Sequence, residues 1–134
     1  MTEGLVSVIM PTYNSSCFLA DSIESILNQT YKKIELLITD DCSSDKNTIN
    51  LLRKYEKEDD RVKIVFLHEN MGPGYARNNS IERAEGQYIA FCDSDDRWRE
   101  DKLECQIEFM KRKNISLCCS SYIICDGDNK EKGI

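Results

Sequence analysis

Tyr88-Ile89-Ala90-Phe91-Cys92-Asp93-Ser94-Asp95-Asp96 is an apolar run of strand length that ends in three carboxylates within four residues. An ionised carboxylate withdrawn from water costs several kcal/mol unless a cation or donor answers it. This placement therefore points to a cation bound at the carboxyl end of a strand. Hard divalent ions, Mg²⁺ or Mn²⁺, are held by one or two carboxylates, with phosphate oxygens and water completing the shell. The expectation is a metal-assisted phosphate site on a loop that leaves a buried strand.

Working outward, the same alternation of apolar run, polar loop and amphipathic stretch recurs. Leu5 to Met10 reads as a strand stopped by Pro11, which cannot donate to a sheet ladder. Ser15-Ser16 offers cap chemistry for a helix in which Leu19, Ile23, Ile26 and Leu27 share one face, ending near Gln29. Ile34 to Ile38 is a second strand, closed by Thr39-Asp40-Asp41; Ser43-Ser44-Asp45 then caps a helix through Leu51, Leu52 and Tyr55. Val62 to Leu67 is a third strand, apolar at almost every position, which is the mark of a parallel sheet covered on both faces. Gly72-Pro73-Gly74 breaks the chain, and Pro73 suits the first position of a helix to about Ala84, stopped by Gly86. After the strand Gln87 to Cys92, Trp98, Leu103, Ile107 and Met110 outline a helix, and Ile115 to Ile124 reads as a further strand before a polar tail, 126–134. The expected architecture is α/β: a doubly wound, mostly parallel Rossmann-like sheet flanked by helices.

The 134 residues suit one domain with a real core. With 24 acidic against 18 basic residues, a formal net charge of −6 and no basic stripe, a nucleic-acid partner is disfavoured, so any phosphate must be met locally. The N-terminus has no basic and apolar leader pattern, and no apolar run approaches the roughly 20 residues of a membrane helix. Seven scattered cysteines without a C-x-x-C pair, beside a single histidine, His68, read as reduced structural thiols rather than a disulfide framework or zinc site. A soluble, cytoplasmic chain is expected, with peripheral attachment of the full-length protein at the inner face of the membrane left open.

In an open parallel sheet a ligand sits beyond the carboxyl ends of the strands, where the topology reverses. Three loops carry polar chemistry there: Pro11-Thr12-Tyr13-Asn14, Thr39-Asp40-Asp41 and Asp93-Ser94-Asp95-Asp96. Alone, each suits an ordinary solvated turn. Together with Ser25-Ile26-Leu27-Asn28-Gln29-Thr30-Tyr31 and Asn70-Met71-Gly72-Pro73-Gly74-Tyr75-Ala76-Arg77-Asn78, they make the sequence resemble the family 2 glycosyltransferases, over nearly all its length. The resemblance implies the A-type glycosyltransferase fold and its nucleotide-sugar-binding half.

By that resemblance Pro11, Thr12, Tyr13 and Asn14 line the donor nucleotide, the Tyr13 ring offering a face to the base. Asp41 would accept the N3–H of uracil, which favours uridine because cytosine has no proton there, while Asp40 orients the loop. Arg77 would approach the base or diphosphate. Asp93 and Asp95 match the family's D-x-D motif, with Asp93 toward the ribose and Asp95 the metal ligand. Alternate residues of an extended loop point the same way, so Ser94 would face away. Asp96 is read as the cap of the following helix.

The implied activity is transfer of a sugar from a nucleotide donor, a UDP-sugar, to a saccharide or lipid-linked acceptor hydroxyl, with inversion and with Mn²⁺ or Mg²⁺ as cofactor, in polysaccharide or glycolipid biosynthesis. The carboxylate that takes the acceptor proton is expected beyond Ile134, because Asp126 and Asp128 sit in a Gly-rich context that reads as a turn. The chain is thus expected to hold the donor half, which binds nucleotide without transferring sugar by itself. A sugar nucleotidyltransferase would need a Gly-rich basic loop after the first strand, and a phospho-acceptor receiver its acidic pair there. A dinucleotide-binding module would need GxGxxG. Pro11-Thr12-Tyr13-Asn14 is none of these.

Overall fold

The computed structural model describes residues 1–125. Four strands, β1 (Thr2–Thr12), β2 (Ile34–Asp40), β3 (Val62–Phe66) and β4 (Gly86–Phe91), form one sheet in the order β3-β2-β1-β4, and every pairing is parallel. The helices are α1 (Leu19–Leu27), α2 (Lys46–Glu58), α3 (Pro73–Arg83) and α4 (Lys102–Lys113). The chain steps from β1 out to β3 and then returns to the other side of β1, so the winding reverses between β1 and β4.

The alternation of side chains along the strands sorts the two faces. Val6, Val8 and Met10 of β1 lie level with Ile34, Leu36 and Ile38 of β2, and this face packs on Leu19, Ile23 and Ile26 of α1, Leu52 and Tyr55 of α2, and Leu103 and Ile107 of α4. Ser7, Ile9, Glu35, Leu37 and Thr39 point the opposite way, where α3 lies across β1 and β2 with Ala76 and Ser80 buried. Thr39 and Ser80 share a hydrogen bond of 2.8 Å through their hydroxyls. Strands β1 and β2 are covered on both faces, whereas β3, whose apolar run predicted such cover, is an edge strand with Lys63 exposed and Ile64, Val65 and Phe66 only partly buried. In β4 burial alternates instead, with Ile89 42% and Phe91 57% exposed on the side that α3 occupies.

Several local expectations fail. Trp98, expected on the last helix, precedes α4, which begins at Lys102. Residues 115–124 form no strand, and Leu117, Tyr122 and Ile123 are exposed; the apolar pattern supplies β-propensity, but the segment pairs with neither open edge of the sheet, β3 or β4. Ser15 and Ser16 do not cap α1: its N-cap is Phe18, without a side-chain bond, because the Ser15 hydroxyl bonds the Tyr13 carbonyl and the Ser94 hydroxyl. Asp45 does cap α2, accepting from the Asn47 N–H at 3.1 Å. The predicted polar tail, 126–134, lies outside the described residues. No helix among the described residues is long and apolar enough to cross a membrane.

Candidate functional site

Because all strands run parallel, their carboxyl ends share one edge, and four loops meet there. Pro11 and Thr12 end β1 as buried residues paired with Thr39 and Asp40 of β2. Tyr13 follows with half its surface exposed, the geometry of a ring that a planar group can cover. Asn14, at φ 45°, faces the β2 loop: its Oδ1 accepts from the Ser44 and Asp45 N–H groups, both at 3.0 Å, and its own N–H donates to the Ser43 hydroxyl at 2.9 Å. The structure thus uses Asn14 to join two loops of the site.

Asp40 orients its loop, as expected. One carboxylate oxygen accepts from the Ser43 N–H at 2.9 Å and the other from the Ser43 hydroxyl at 2.6 Å. Asp41 is buried at the start of the next turn. Its N–H donates to the Thr12 carbonyl at 2.8 Å, and its carboxylate accepts from the Met71 and Gly72 N–H groups at 2.7 and 2.9 Å. Each oxygen of a carboxylate has two acceptor directions, so one on each remains for a ligand.

From α3, Arg77 reaches Asp93 at 3.0 Å. Both side chains are substantially exposed, so this pair is worth about 0.2–1 kcal/mol and yields readily to a stronger partner. Asp93, Asp95 and Asp96 converge, each with a carboxylate oxygen within 4.8 Å of the others. Asp96 is not a helix cap: α4 begins at Lys102, after Asp101, and the Asp96 carboxyl joins the acidic cluster. Partial burial, then the charges of Asp95 and Asp93, push the Asp96 carboxyl above its ordinary range. Among the described residues, the carboxylates of Asp95 and Asp96 make no hydrogen bond or ion pair. Three converging oxygen donors, Asp93 weakly paired and Asp95 and Asp96 without a partner, the last bearing its neighbours' charge, fit a hard divalent cation. Cys92, just beneath, is buried and its thiol is raised to about 12 by burial and by Asp96 and Asp93, so it is an inert packing group.

Ser94 turns away from the acids, as the alternation predicts, and its hydroxyl lies 2.9 Å from that of Ser15. A set of residues that the sequence reading gave no role holds this loop. The Ser22 hydroxyl donates to the Ser94 carbonyl at 2.9 Å, and the Ser25 hydroxyl accepts from the Trp98 N–H at 3.1 Å. The Gln29 amide donates to the Arg99 carbonyl at 2.6 Å and accepts from the Leu103 N–H at 3.0 Å. Ser22 and Ser25 lie three apart on α1 and Gln29 just past its C-cap Asn28, and polar residues on the core-facing side of that helix and its end are the signal that could have found them. Every partner on the loop is a main-chain group, so α1 fixes the path of the acidic segment whatever its side chains.

The sequence profile of glycosyl transferase family 2 matches residues 7–133, and the chain belongs to that family. It is 42% identical over 129 residues to the UDP-Glc:alpha-D-GlcNAc-diphosphoundecaprenol beta-1,3-glucosyltransferase WfgD of Escherichia coli, a match covering 96% of this chain and 50% of that protein. Among solved structures, S. aureus TarS 1-349 in complex with UDP superposes with a TM-score of 0.74 at 33% identity, over 81% of this chain and 32% of the other. The mannosyltransferase PcManGT of Pyrobaculum calidifontis, in complex with GDP-Man and Mn²⁺, gives 0.71 at 25% identity, over 78% and 32%. The chain spans about half the length of curated relatives such as WfgD.

Proposed function

We propose that the chain is the donor-binding half of a glycosyltransferase that passes a sugar from a UDP-sugar to an acceptor hydroxyl, with inversion, in the making of a polysaccharide or glycolipid. The observation that carries this reading is the placement, on the edge where the sheet reverses its winding, of Asp41 from the β2 loop, Arg77 from α3 and the Asp93-Asp95-Asp96 cluster from the β4 loop, with Arg77 paired to Asp93. In this reading Tyr13 stacks on the base, Pro11 and Thr12 border it, and Asp41 accepts the uracil N3–H on a free lone pair. Asn14 keeps the first two loops in register. Asp93 exchanges Arg77 for the ribose, and Arg77 turns to the diphosphate. Asp95 is the metal ligand, with Asp96 beside it. A divalent ion held there would supply positive charge to the leaving diphosphate.

The neighbours support the ligand class: TarS is seen with UDP, and PcManGT with GDP-Man and Mn²⁺. WfgD, named for a UDP-Glc donor and a diphosphoundecaprenol acceptor, supports a lipid-linked or saccharide acceptor. Because the chain spans half of such relatives, we assign the acceptor side, with the carboxylate that removes the acceptor proton, to the portion it does not span. Asp126 and Asp128 lie outside the described residues and are given no part in it. Calorimetric titration with UDP, CDP and GDP, each with and without Mn²⁺, tests the reading. UDP should bind most tightly and gain affinity with Mn²⁺; three nucleotides bound equally, with or without the ion, would overturn it.

A further inference from the structure

Asp41 is held at four points. Its N–H reaches the Thr12 carbonyl, its carbonyl accepts from the Asn70 amide at 3.3 Å, and its two carboxylate oxygens take the Met71 and Gly72 N–H groups, one each. Only 4% of the residue is exposed. Gly72 has φ 91° and ψ 161°, a combination essentially confined to glycine. A Cβ built there would meet nothing within 4 Å, so space is not what this position demands. What the backbone conformation does is aim an N–H. Pro73 follows as the first residue of α3 and has no N–H of its own, so the donors at this end of the helix before Gly74 are those of Met71 and Gly72, and both point at one carboxylate.

We infer that Gly72 is a positioning residue for donor choice: its glycine-only conformation turns the Met71 and Gly72 N–H groups onto Asp41 and so fixes that carboxylate as a pure acceptor toward the nucleotide base. The inference rests on the proposed contact between Asp41 and the base, and it adds the reason the contact discriminates. A freely rotating carboxylate can turn its oxygens away from the bare N3 of cytosine as readily as it turns them toward uracil N3–H, and so discriminates weakly. With each oxygen already accepting from a main-chain N–H, rotation would break two bonds, and the lone pairs that remain can only receive a proton. A base edge that offers N–H is accepted; one that offers a lone pair is repelled. Leaving such a group unanswered costs enough for roughly a tenfold or greater preference of UDP over CDP.

The test is the ratio of CDP to UDP dissociation constants, measured by calorimetry without metal, for the wild-type chain and for Gly72→Ala. Alanine disfavours φ 91°, which swings the two N–H groups off Asp41. The expected result is a ratio that falls to about threefold or less, mainly because UDP weakens, with CDP changed little. An unchanged ratio, or both nucleotides weakened in parallel as general loosening would do, overturns the inference. A wild-type chain with no preference for UDP removes the base contact itself, and the inference with it, which separates that failure from one seen only in the variant. Should Gly72→Ala not fold, hydrogen exchange of the wild-type protein decides. The Met71 and Gly72 amides should be protected both free and with UDP, and rapid exchange in both states overturns the clamp.

Discussion

Replacing Gln29 tests whether α1 fixes the acidic loop. Its side chain is fully buried and joins α1 to the start of α4 through the Arg99 carbonyl and the Leu103 N–H. Gln29→Ala strands both main-chain groups, at about 1–2 kcal/mol each, and leaves a small cavity worth about 1 kcal/mol more. The total, about 3–5 kcal/mol, is a large share of the roughly 5–15 kcal/mol that holds a domain folded. For a chain of this size each kcal/mol moves the midpoint by about 3–4 °C, so a fall on the order of 10 °C is expected. Gln29→Met keeps the volume and so separates the terms: it should recover the cavity part and little else. Thermal unfolding gives the stabilities, and UDP titration with and without Mn²⁺ gives the consequence, a reduced gain from the ion in both variants. A midpoint within 3 °C of wild type would refute the strap, and a lowered midpoint with an undiminished Mn²⁺ gain would refute its role in placing the acids.

Gly86→Ala should be among the most damaging small substitutions, because its Cβ would lie 2.6 Å from the Leu5 carbonyl oxygen and 2.8 Å from the Ser7 nitrogen, atoms that cannot move aside. Chemical denaturation should show a loss of about 3 kcal/mol, and a loss below 1 kcal/mol would mean that β1 and β4 are less closely paired than described. Glu35 contributes to the acid dependence. Burial alone would raise its carboxyl, but bonds from the Ser7 hydroxyl, the Glu85 N–H and Lys63 bring it below its ordinary value of 4.5. The unfolded chain then takes the proton more readily, so this stabilisation is complete above the ordinary value and is lost as pH falls through the lower, folded one. Stability against pH should therefore drop more steeply below about pH 4.5 in the wild type than in Glu35→Gln; parallel curves would remove Glu35 from the account.

The sheet was legible because each strand is an apolar run followed by a polar loop, although Pro11 does not stop β1, which continues through it to Thr12 paired with β2; α2 was legible because Asp45 is a strong cap. Residues 115–124 misled because the same apolar signal exists there, yet the segment joins neither open edge of the sheet. Asp96 misled because an Asp near a helix start looks like a cap, and only three dimensions bring its carboxylate back to Asp93 and Asp95. The positions of Asp41, Arg77 and Asp93 were readable as a set, since the loops after β2 and β4 and the start of α3 share one edge of the sheet. What holds them was not. The partners of Asp41, Ser22, Ser25 and Gln29 are largely main-chain N–H and carbonyl groups, which every residue possesses and no sequence pattern marks. The exposed side of β4 was hidden too, because Ile89 and Phe91 look in sequence like any core residues.

The central claim is that the acids closing β4 grip a divalent ion that meets a nucleoside diphosphate. Crystals soaked with UDP and MnCl₂, and measured for anomalous scattering from manganese, test it most directly. The account predicts a manganese peak about 2 Å from an Asp95 carboxylate oxygen, bridged to the diphosphate, with uracil against Tyr13 and Asp41. Manganese absent from that rim, or UDP bound away from it while Asp93 stays paired with Arg77, would contradict the account.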